Sequence, residues 1–268
     1  MIYHRFANVE SVQDIDHLKG EVISDEELTY LAEQARRMYE ETDYAILGAF
    51  GGNIFEAGQM EFGYETYFAH LAAEPDIIHR YNRIITDAYM LSLEKYLEAV
   101  GRYIDVIQFG DDLGTQLSLQ ISPDMYREMI KPYQMEQYQF VRKNYPNVKV
   151  FLHSCGAISG LIPDLIDAGV EVLNPVQLSA KGMDAARLKA EYGNALTFWG
   201  GGINTQTTLT TGTIREIEDE VRENMRIFSP GGGFVFTQIH NIQANIPPEK
   251  IMAVYNTAAD CRRYLKDF

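Results

Sequence analysis

The sequence predicts an α/β fold, and within that class a TIM-type (β/α) barrel, from three observations. Short apolar runs alternate with helical patterns, which implies parallel strands joined by right-handed crossovers. Polar or glycine-rich residues follow almost every run, and a barrel brings all such strand ends to one mouth. No Gly-x-Gly-x-x-Gly follows the first run, so the open dinucleotide-binding sheet has no positive support.

Six apolar runs are the predicted strands, because each is short, nearly continuous in apolar character and rich in β-branched or aromatic residues. They cover residues 44–50, 104–109, 148–153, 170–174, 196–199 and 233–238. Six strands fall short of a closed (β/α)₈ barrel. Either Ile2–Phe6 supplies a further strand, or the barrel is incomplete at the N-terminus.

Helical patterns separate the strands, and the first is opened by Ser24 and Asp25 as candidate capping residues. The patterns cover residues 25–41, 76–100, 123–144, 158–168, 183–192, 213–227 and 248–265. No linker or low-complexity tract interrupts them. We therefore predict one domain over residues 1–268, with an N-terminal extension (1–40) and a barrel (41–268).

The net charge of -15 disfavours nucleic acids and anionic membranes as partners, because both would be repelled at long range. No apolar stretch is long enough for a transmembrane helix, and the N-terminus lacks the apolar segment of a signal peptide. The chain has only two cysteines, Cys155 and Cys261, so a disulfide framework is not expected. These features favour a cytoplasmic protein.

His153 and Cys155 lie two residues apart at a predicted strand end, where both side chains point the same way if the strand stays extended. Imidazole and thiolate are good zinc ligands, so the pair is a candidate metal site. The alternative is a cysteine that packs as a small apolar residue beside a hydrogen-bonded histidine. His240, after the last strand, is the candidate third ligand, whereas Cys261 lies within the last helix and is expected to be structural.

Asp111 and Asp112 follow the second run, and adjacent residues there point to opposite sides. One carboxylate is therefore expected to act as a base, a metal ligand or a substrate anchor, while the other caps a turn. Gln116 can reach the same cavity. Substrate binding is assigned to four amide side chains near the strand ends: Asn53, Asn174, Gln177 and Asn204.

A series of motifs from about residue 40 onwards resembles the uroporphyrinogen decarboxylase superfamily. They are Phe109–Gln116, Ile121–Pro123 with Tyr126 and Lys131–Pro132, His153–Gly156, Asp167–Gly169, Leu173–Gln177, Trp199–Gly202, and His240–Gln243 with Pro247–Glu249. The resemblance implies a TIM-type barrel. It also implies one of two chemistries, a cofactor-free decarboxylation of a porphyrinogen or a cobalamin-dependent methyl transfer that uses zinc.

The methyltransferase branch holds zinc with a His-x-Cys motif, which His153 and Cys155 match, and with a distant cysteine in a Pro-Gly-Cys-Gly context. The corresponding stretch here, Ser229–Gly233, has no cysteine, and His240 is the candidate replacement. The decarboxylase branch binds its substrate carboxylates with an arginine-rich N-terminal segment. We find no such segment in this sequence. Arg36 and Arg37 are adjacent, but they lie in a predicted helix and are expected to be solvated.

The first hypothesis is a zinc-dependent methyltransferase that acts with a separate corrinoid protein on a small methylated or methoxylated compound. The second is a metal-free carboxy-lyase that resembles uroporphyrinogen decarboxylase. The third is a non-catalytic, truncated barrel that binds a ligand or a paralogue. The partners considered are the small-molecule substrate, the corrinoid protein and a second copy of the chain in a homodimer.

Overall fold

A computed structural model describes residues 4–264, with the side chains of residues 4–262. All six predicted strands are present, each shorter than its apolar run. They are β1 (Leu47–Gly51), β2 (Val106–Gly110), β3 (Lys149–His153), β4 (Val172–Asn174), β5 (Thr197–Trp199) and β6 (Phe234–Val235). They form one sheet in the order β1-β2-β3-β4-β5-β6. The parallel sheet and its intervening helices confirm the α/β class.

The candidate strand at Ile2–Phe6 begins outside the described residues. Its described part, His4–Phe6, is irregular backbone that enters a turn rather than a strand. Within the described range, the first strand is therefore β1, and no ladder joins β6 back to β1.

The helices match most of the predicted patterns to within a few residues. They are α1 (Asp25–Glu41), α2 (Phe55–Phe62), α3 (Tyr64–Ala73), α4 (Pro75–Val100), α5 (Pro123–Met129), α6 (Lys131–Asn144), α7 (Ile162–Ala168), α8 (Ala185–Tyr192), α9 (Thr208–Thr211), α10 (Ile214–Phe228) and α11 (Pro248–Tyr264). Ser24 begins α1 as predicted, since its side chain accepts a hydrogen bond from the Glu27 amide. No helix of the described residues is long and apolar enough to cross a membrane.

One predicted helix, residues 123–144, is divided into α5 and α6 at Ile130, and a proline explains the break. Pro132 has no N–H to donate to the carbonyl of Glu128, and its ring would clash with that carbonyl in a continuous helix. Pro132 instead lies in the first turn of α6, where a missing N–H has no cost. The prediction of one continuous helix was therefore wrong.

The structure divides into two compact units. Unit 1 contains residues 4–112, 121–152 and 163–170, and unit 2 contains residues 113–120, 153–162 and 171–264. In unit 1, β1 pairs in parallel with β2, and α1 packs against α4. In unit 2, β4, β5 and β6 pair in parallel, and α10 packs against α11. Cys261 lies against the apolar cluster of unit 2, in line with a structural role.

Asp164 of α7 is the buried centre of an ion-pair cluster in unit 1. Its Oδ1 accepts a hydrogen bond from Lys131 Nζ at 2.8 Å, and its Oδ2 is 2.9 Å from Arg127 Nη2. Burial alone would raise the pKa of Asp164, but the hydrogen bonds from Arg127 and Lys131 hold the pKa below its usual value. The cluster therefore stabilises unit 1 only while Asp164 is ionised.

We expect the Asp164→Asn variant to lose about 2 kcal/mol of unfolding free energy at pH 7, because hydrogen bonds to a charged group are lost. A carboxyl group whose pKa is lowered by folding stabilises the protein above its unfolded pKa, about 3.9, and the effect disappears as the pH falls further. Urea unfolding at pH 6 and pH 3 measures this: the difference between wild type and variant should shrink at pH 3. A difference that is independent of pH would contradict the prediction.

Candidate functional site

His153, the last residue of β3, and Cys155 lie side by side in unit 2. The Nε2 atom of His153 is 3.4 Å from the Sγ atom of Cys155, and both side chains are half-buried. The two predicted metal ligands therefore point to the same place. A thiol at this distance can donate its proton to a ring nitrogen, and a thiolate with a ring nitrogen can share a metal ion.

Asn174, at the end of β4, fixes which nitrogen of His153 carries the proton. Its Nδ2 donates a hydrogen bond to the carbonyl of Trp199 at 2.8 Å, so its Oδ1 is the atom that faces His153 Nδ1 at 2.6 Å. An amide oxygen can only accept, so Nδ1 of His153 must be the protonated nitrogen. The lone pair of the neutral ring is then on Nε2, beside Cys155. Metal-binding histidines are oriented in the same way, through the nitrogen that does not bind the metal.

The loop that carries Cys155 packs closely against residues 113–116. The amide of Ala157 donates to the carbonyl of Thr115 at 2.8 Å, and the amide of Leu113 donates to Ser154 Oγ at 3.2 Å. Gly156 has a φ of 93°, and a Cβ there would lie 2.5 Å from the backbone of Gly114. This position therefore requires glycine both for its backbone conformation and for the approach of the two loops.

Gln177 connects this loop to Gln116. Its Oε1 accepts a hydrogen bond from the Gly156 amide at 2.9 Å, and its Nε2 donates to Gln116 Oε1 at the same distance. Two residues that the sequence motifs did not single out extend the network, since Ser179 Oγ donates to Gln206 Oε1 at 3.0 Å. Isolated serine and glutamine residues in loops carry no spacing signal, so sequence reasoning had no means of finding them.

Asp111 is fully buried in unit 1, where its carboxylate accepts hydrogen bonds from the protein itself. The donors include the amides of Ile54 and Glu56, at 2.8 and 2.9 Å, and Gln134 Nε2 at 2.7 Å. Burial raises the pKa of Asp111 to about 7, although these hydrogen bonds oppose the rise. Asp111 thus holds the start of α2, whose first amides have no partner within the helix.

The other predicted site residues occupy different surroundings. Asp112 is half-buried and ends the first segment of unit 1, while Asn53 of the same unit donates from Nδ2 to Glu56 Oε2 at 2.7 Å. In unit 2, Asn204 Oδ1 accepts hydrogen bonds from the amides of Gln206 and Thr207, so this side chain shapes the turn before α9. His240 is exposed beyond β6. The roles assigned to these four residues stay predictions.

We expect the Gln177→Leu variant to release the amide of Gly156, because leucine has the size of glutamine but no acceptor. Hydrogen exchange followed by NMR or mass spectrometry should show at least about tenfold faster exchange at this amide, as the loss of one hydrogen bond of about 1.4 kcal/mol implies. The matched variant Gln177→Glu retains an acceptor and should exchange like the wild type. Unchanged protection in Gln177→Leu would show that other contacts hold the loop.

Asp111→Asn should lower the unfolding free energy by about 2 kcal/mol, because the amide group that replaces one oxygen cannot accept a hydrogen bond from the start of α2. Asp112→Asn is the matched control and should cost less, since Asp112 is only half-buried. Chemical denaturation of both variants measures the difference. Equal losses would contradict the structural role given to Asp111.

The family model described as uroporphyrinogen decarboxylase (URO-D) matches residues 4–261 of the chain. The chain is 28% identical to the uroporphyrinogen decarboxylases of Chlorobium limicola and Pelodictyon phaeoclathratiforme, with 91% of the chain and 68% of each relative covered. It is 22% identical to the uroporphyrinogen decarboxylase of Aliarcobacter butzleri, with coverages of 96% and 71%.

Among solved structures, a methyltransferase from Methanosarcina mazei is similar to the chain, with a TM-score of 0.70 and 19% sequence identity. The similarity covers 96% of this chain and 70% of that protein. At this level of identity the comparison shows a shared fold. Together with the parallel sheet it confirms the predicted TIM-type barrel class, in a chain whose described strands do not close the barrel.

Proposed function

The chain belongs to the uroporphyrinogen decarboxylase family, and on that basis we propose that its His153–Cys155 pair binds Zn²⁺ for methyl transfer. The substrate in this proposal is a small methylated or methoxylated compound, and a separate corrinoid protein is the partner. The observation that carries the proposal is the arrangement of three side chains: Asn174 holds His153 so that Nε2 of the ring lies 3.4 Å from the Sγ atom of Cys155.

The donor set fits zinc in its chemistry. One thiolate and one neutral imidazole are soft and borderline ligands, a combination that zinc prefers over the all-oxygen sites of magnesium or calcium. Asn174 accepts from the second ring nitrogen of His153, as an outer ligand of a bound metal commonly does. Zinc, when bound, supplies a Lewis acid that activates a thiol or an ether oxygen.

Asp112 and His240 are the two candidates for the third ligand. Asp112 is followed in the chain by Leu113, whose amide donates a hydrogen bond to Ser154 Oγ. Ser154 lies between the other two proposed ligands, His153 and Cys155, in the sequence. We favour Asp112, because a carboxylate oxygen is a common zinc ligand. His240 is exposed beyond β6, so it would have to be brought inward.

The remaining polar residues have positioning roles in this proposal. Gln177 holds the Cys155–Gly156 loop, and Gln116 presents an amide that can bind a substrate hydroxyl, amine or carboxylate. Cys155 would hold a metal as the thiolate, so its thiol proton would go to solvent, because Nδ1 of His153 already carries a proton and Nε2 would be a metal ligand. The corrinoid partner would accept the methyl group at a surface of this chain.

The test is metal binding by protein purified without chelator. We expect close to one equivalent of zinc by elemental analysis, and a cobalt(II)-substituted form with the near-ultraviolet charge-transfer absorption of a cobalt–thiolate bond. Cys155→Ser should remove this absorption and His153→Ala should weaken binding at least about tenfold, because each loses a direct ligand. Cys261→Ser is the matched control and should behave like the wild type, since Cys261 packs in the apolar cluster of unit 2.

The result that overturns the proposal is a folded protein that contains no zinc and gains none on titration. The variants also separate the two candidates for the third ligand. Weaker binding in Asp112→Asn with normal binding in His240→Asn supports Asp112, and the reverse result assigns the ligand to His240.

A metal-free carboxy-lyase is the second candidate, and it is favoured by the names of the curated relatives. The side chains described as hydrogen-bonded to His153 are the amide of Asn174 and the thiol of Cys155, and neither is cationic. A porphyrinogen with eight carboxylates needs several cationic partners. We therefore expect no turnover of uroporphyrinogen by the purified chain. Product formation in that assay would favour the second candidate over the first.

A further inference from the structure

Unit 1 contains a cavity of about 320 Å³ that is separate from the residues of the proposed zinc site, and we name it the N-terminal cavity. Its walls are α2, α4 and the chain segment that precedes α1, which contributes residues 5–6 and 18–21. This volume lies at the lower end of the range of small-molecule sites, which favours a ligand with few heavy atoms.

The segment that covers the cavity is held by specific contacts on both sides. The amide of Phe6 donates to the carbonyl of Glu61 at 2.8 Å, and His70 Nε2 lies 3.0 Å from the carbonyl of Val9. Farther along, Arg80 Nε donates to Asp16 Oδ1 at 2.6 Å. At Gly20 the backbone runs directly against the side chain of Ala88, where no Cβ would fit. These contacts fix the segment that forms one wall of the cavity, so the cavity is part of the folded structure of unit 1.

Glu61 of α2 gives the cavity its chemical character. Its Oε2 atom is buried, and no described residue donates a hydrogen bond to it. A buried acceptor without a donor destabilises the protein, and the cost is larger when the group is charged. Glu61 as a whole is half-buried and lines the cavity, so rotation of its side chain would bring this carboxylate to a molecule that enters with an N–H group.

Aromatic and aliphatic side chains surround this carboxylate. Tyr81 is 3% exposed and Phe6 is 8% exposed, and Tyr89 and Ile84 complete the same wall. Burial, with smaller contributions from the charges of Asp111 and Glu61, raises the pKa of Tyr89 to about 12. The phenol therefore stays neutral near pH 7. A carboxylate among neutral aromatic rings is suited to an organic cation, which can pair with the charge and lie against the ring faces.

We propose that the N-terminal cavity binds a small protonated amine with an apolar body, with Glu61 as its counter-ion and Tyr81, Tyr89 and Phe6 around it. Arg5 does not fill this role, because its guanidinium lies 5.1 Å from the centre of the Phe6 ring and makes no described ion pair with Glu61. Arg5, Lys19 and Glu21 also line the cavity, but they are exposed to solvent. Glu61 is therefore the most buried charged residue of its lining. The net charge of -15 also attracts cations to the protein.

The experiment is isothermal titration calorimetry of the full chain with benzylammonium, benzyl alcohol and benzoate, three probes of nearly equal size that differ in charge. Benzylammonium should bind at least tenfold more tightly than benzyl alcohol, and benzoate should bind more weakly still. Glu61→Gln should weaken benzylammonium binding at least tenfold. The matched control is Glu65→Gln, an exposed acidic residue in the next helix, and it should leave the affinity unchanged.

Two further variants keep the result interpretable if Glu61→Gln does not fold. Ala57→Leu places a larger side chain in the wall of the cavity without changing any charge, and it should abolish binding. Cys155→Ser should leave binding unchanged, because Cys155 is not part of this cavity. Equal affinity for the alcohol and the ammonium probe, or unchanged binding in Ala57→Leu, would overturn the proposal.

Discussion

The hydrogen bonds of one amide side chain, that of Asn174, determine how the histidine of the candidate site is oriented. A backbone carbonyl at the end of β5 needs a donor, and Asn174 supplies it to Trp199. Once the amide is oriented in this way, its oxygen can face only a donor, so His153 must carry its proton on Nδ1. The position of the Nε2 lone pair beside Cys155 is thus a consequence of satisfying a backbone group on another strand.

The second requirement is that a loop at the end of β3 turns sharply enough to place Cys155 beside His153. Gly156 permits this turn, and the absence of side chains at Gly156 and Gly114 lets the two loops meet along their backbones. Gly156 lies beyond the end of β3, and its amide donates a hydrogen bond to Gln177 Oε1. The orientation of His153 and the position of Cys155 therefore depend on different parts of unit 2. Both depend on hydrogen bonds to polar groups at or beyond the ends of the strands.

The sequence predicted the six strands because short, continuous apolar runs of β-branched and aromatic residues are typical of strands that are buried on both faces. It predicted α1 to the residue because Ser24 marks its start. It did not predict α2 and α3 as helices: their apolar residues are crowded, as in Tyr67-Phe68, and Gly63 separates them with a φ of 79°. For the site, sequence spacing identified residue types, whereas the orientation of His153 follows from contacts with residues more than twenty positions away.

The adjacent pair Asp111-Asp112 shows how local geometry assigns different tasks to identical residues. Neighbouring side chains at a strand end point to opposite sides, so the two carboxylates have different surroundings. Asp111 is taken into unit 1, where the amides of α2 occupy its oxygens and burial raises its pKa to about 7. An oxygen that already accepts two hydrogen bonds has no lone pair left for a metal or a substrate. Asp111 therefore has a structural role, whereas Asp112 is half-buried and the chemical role that the sequence assigns to it stays a prediction.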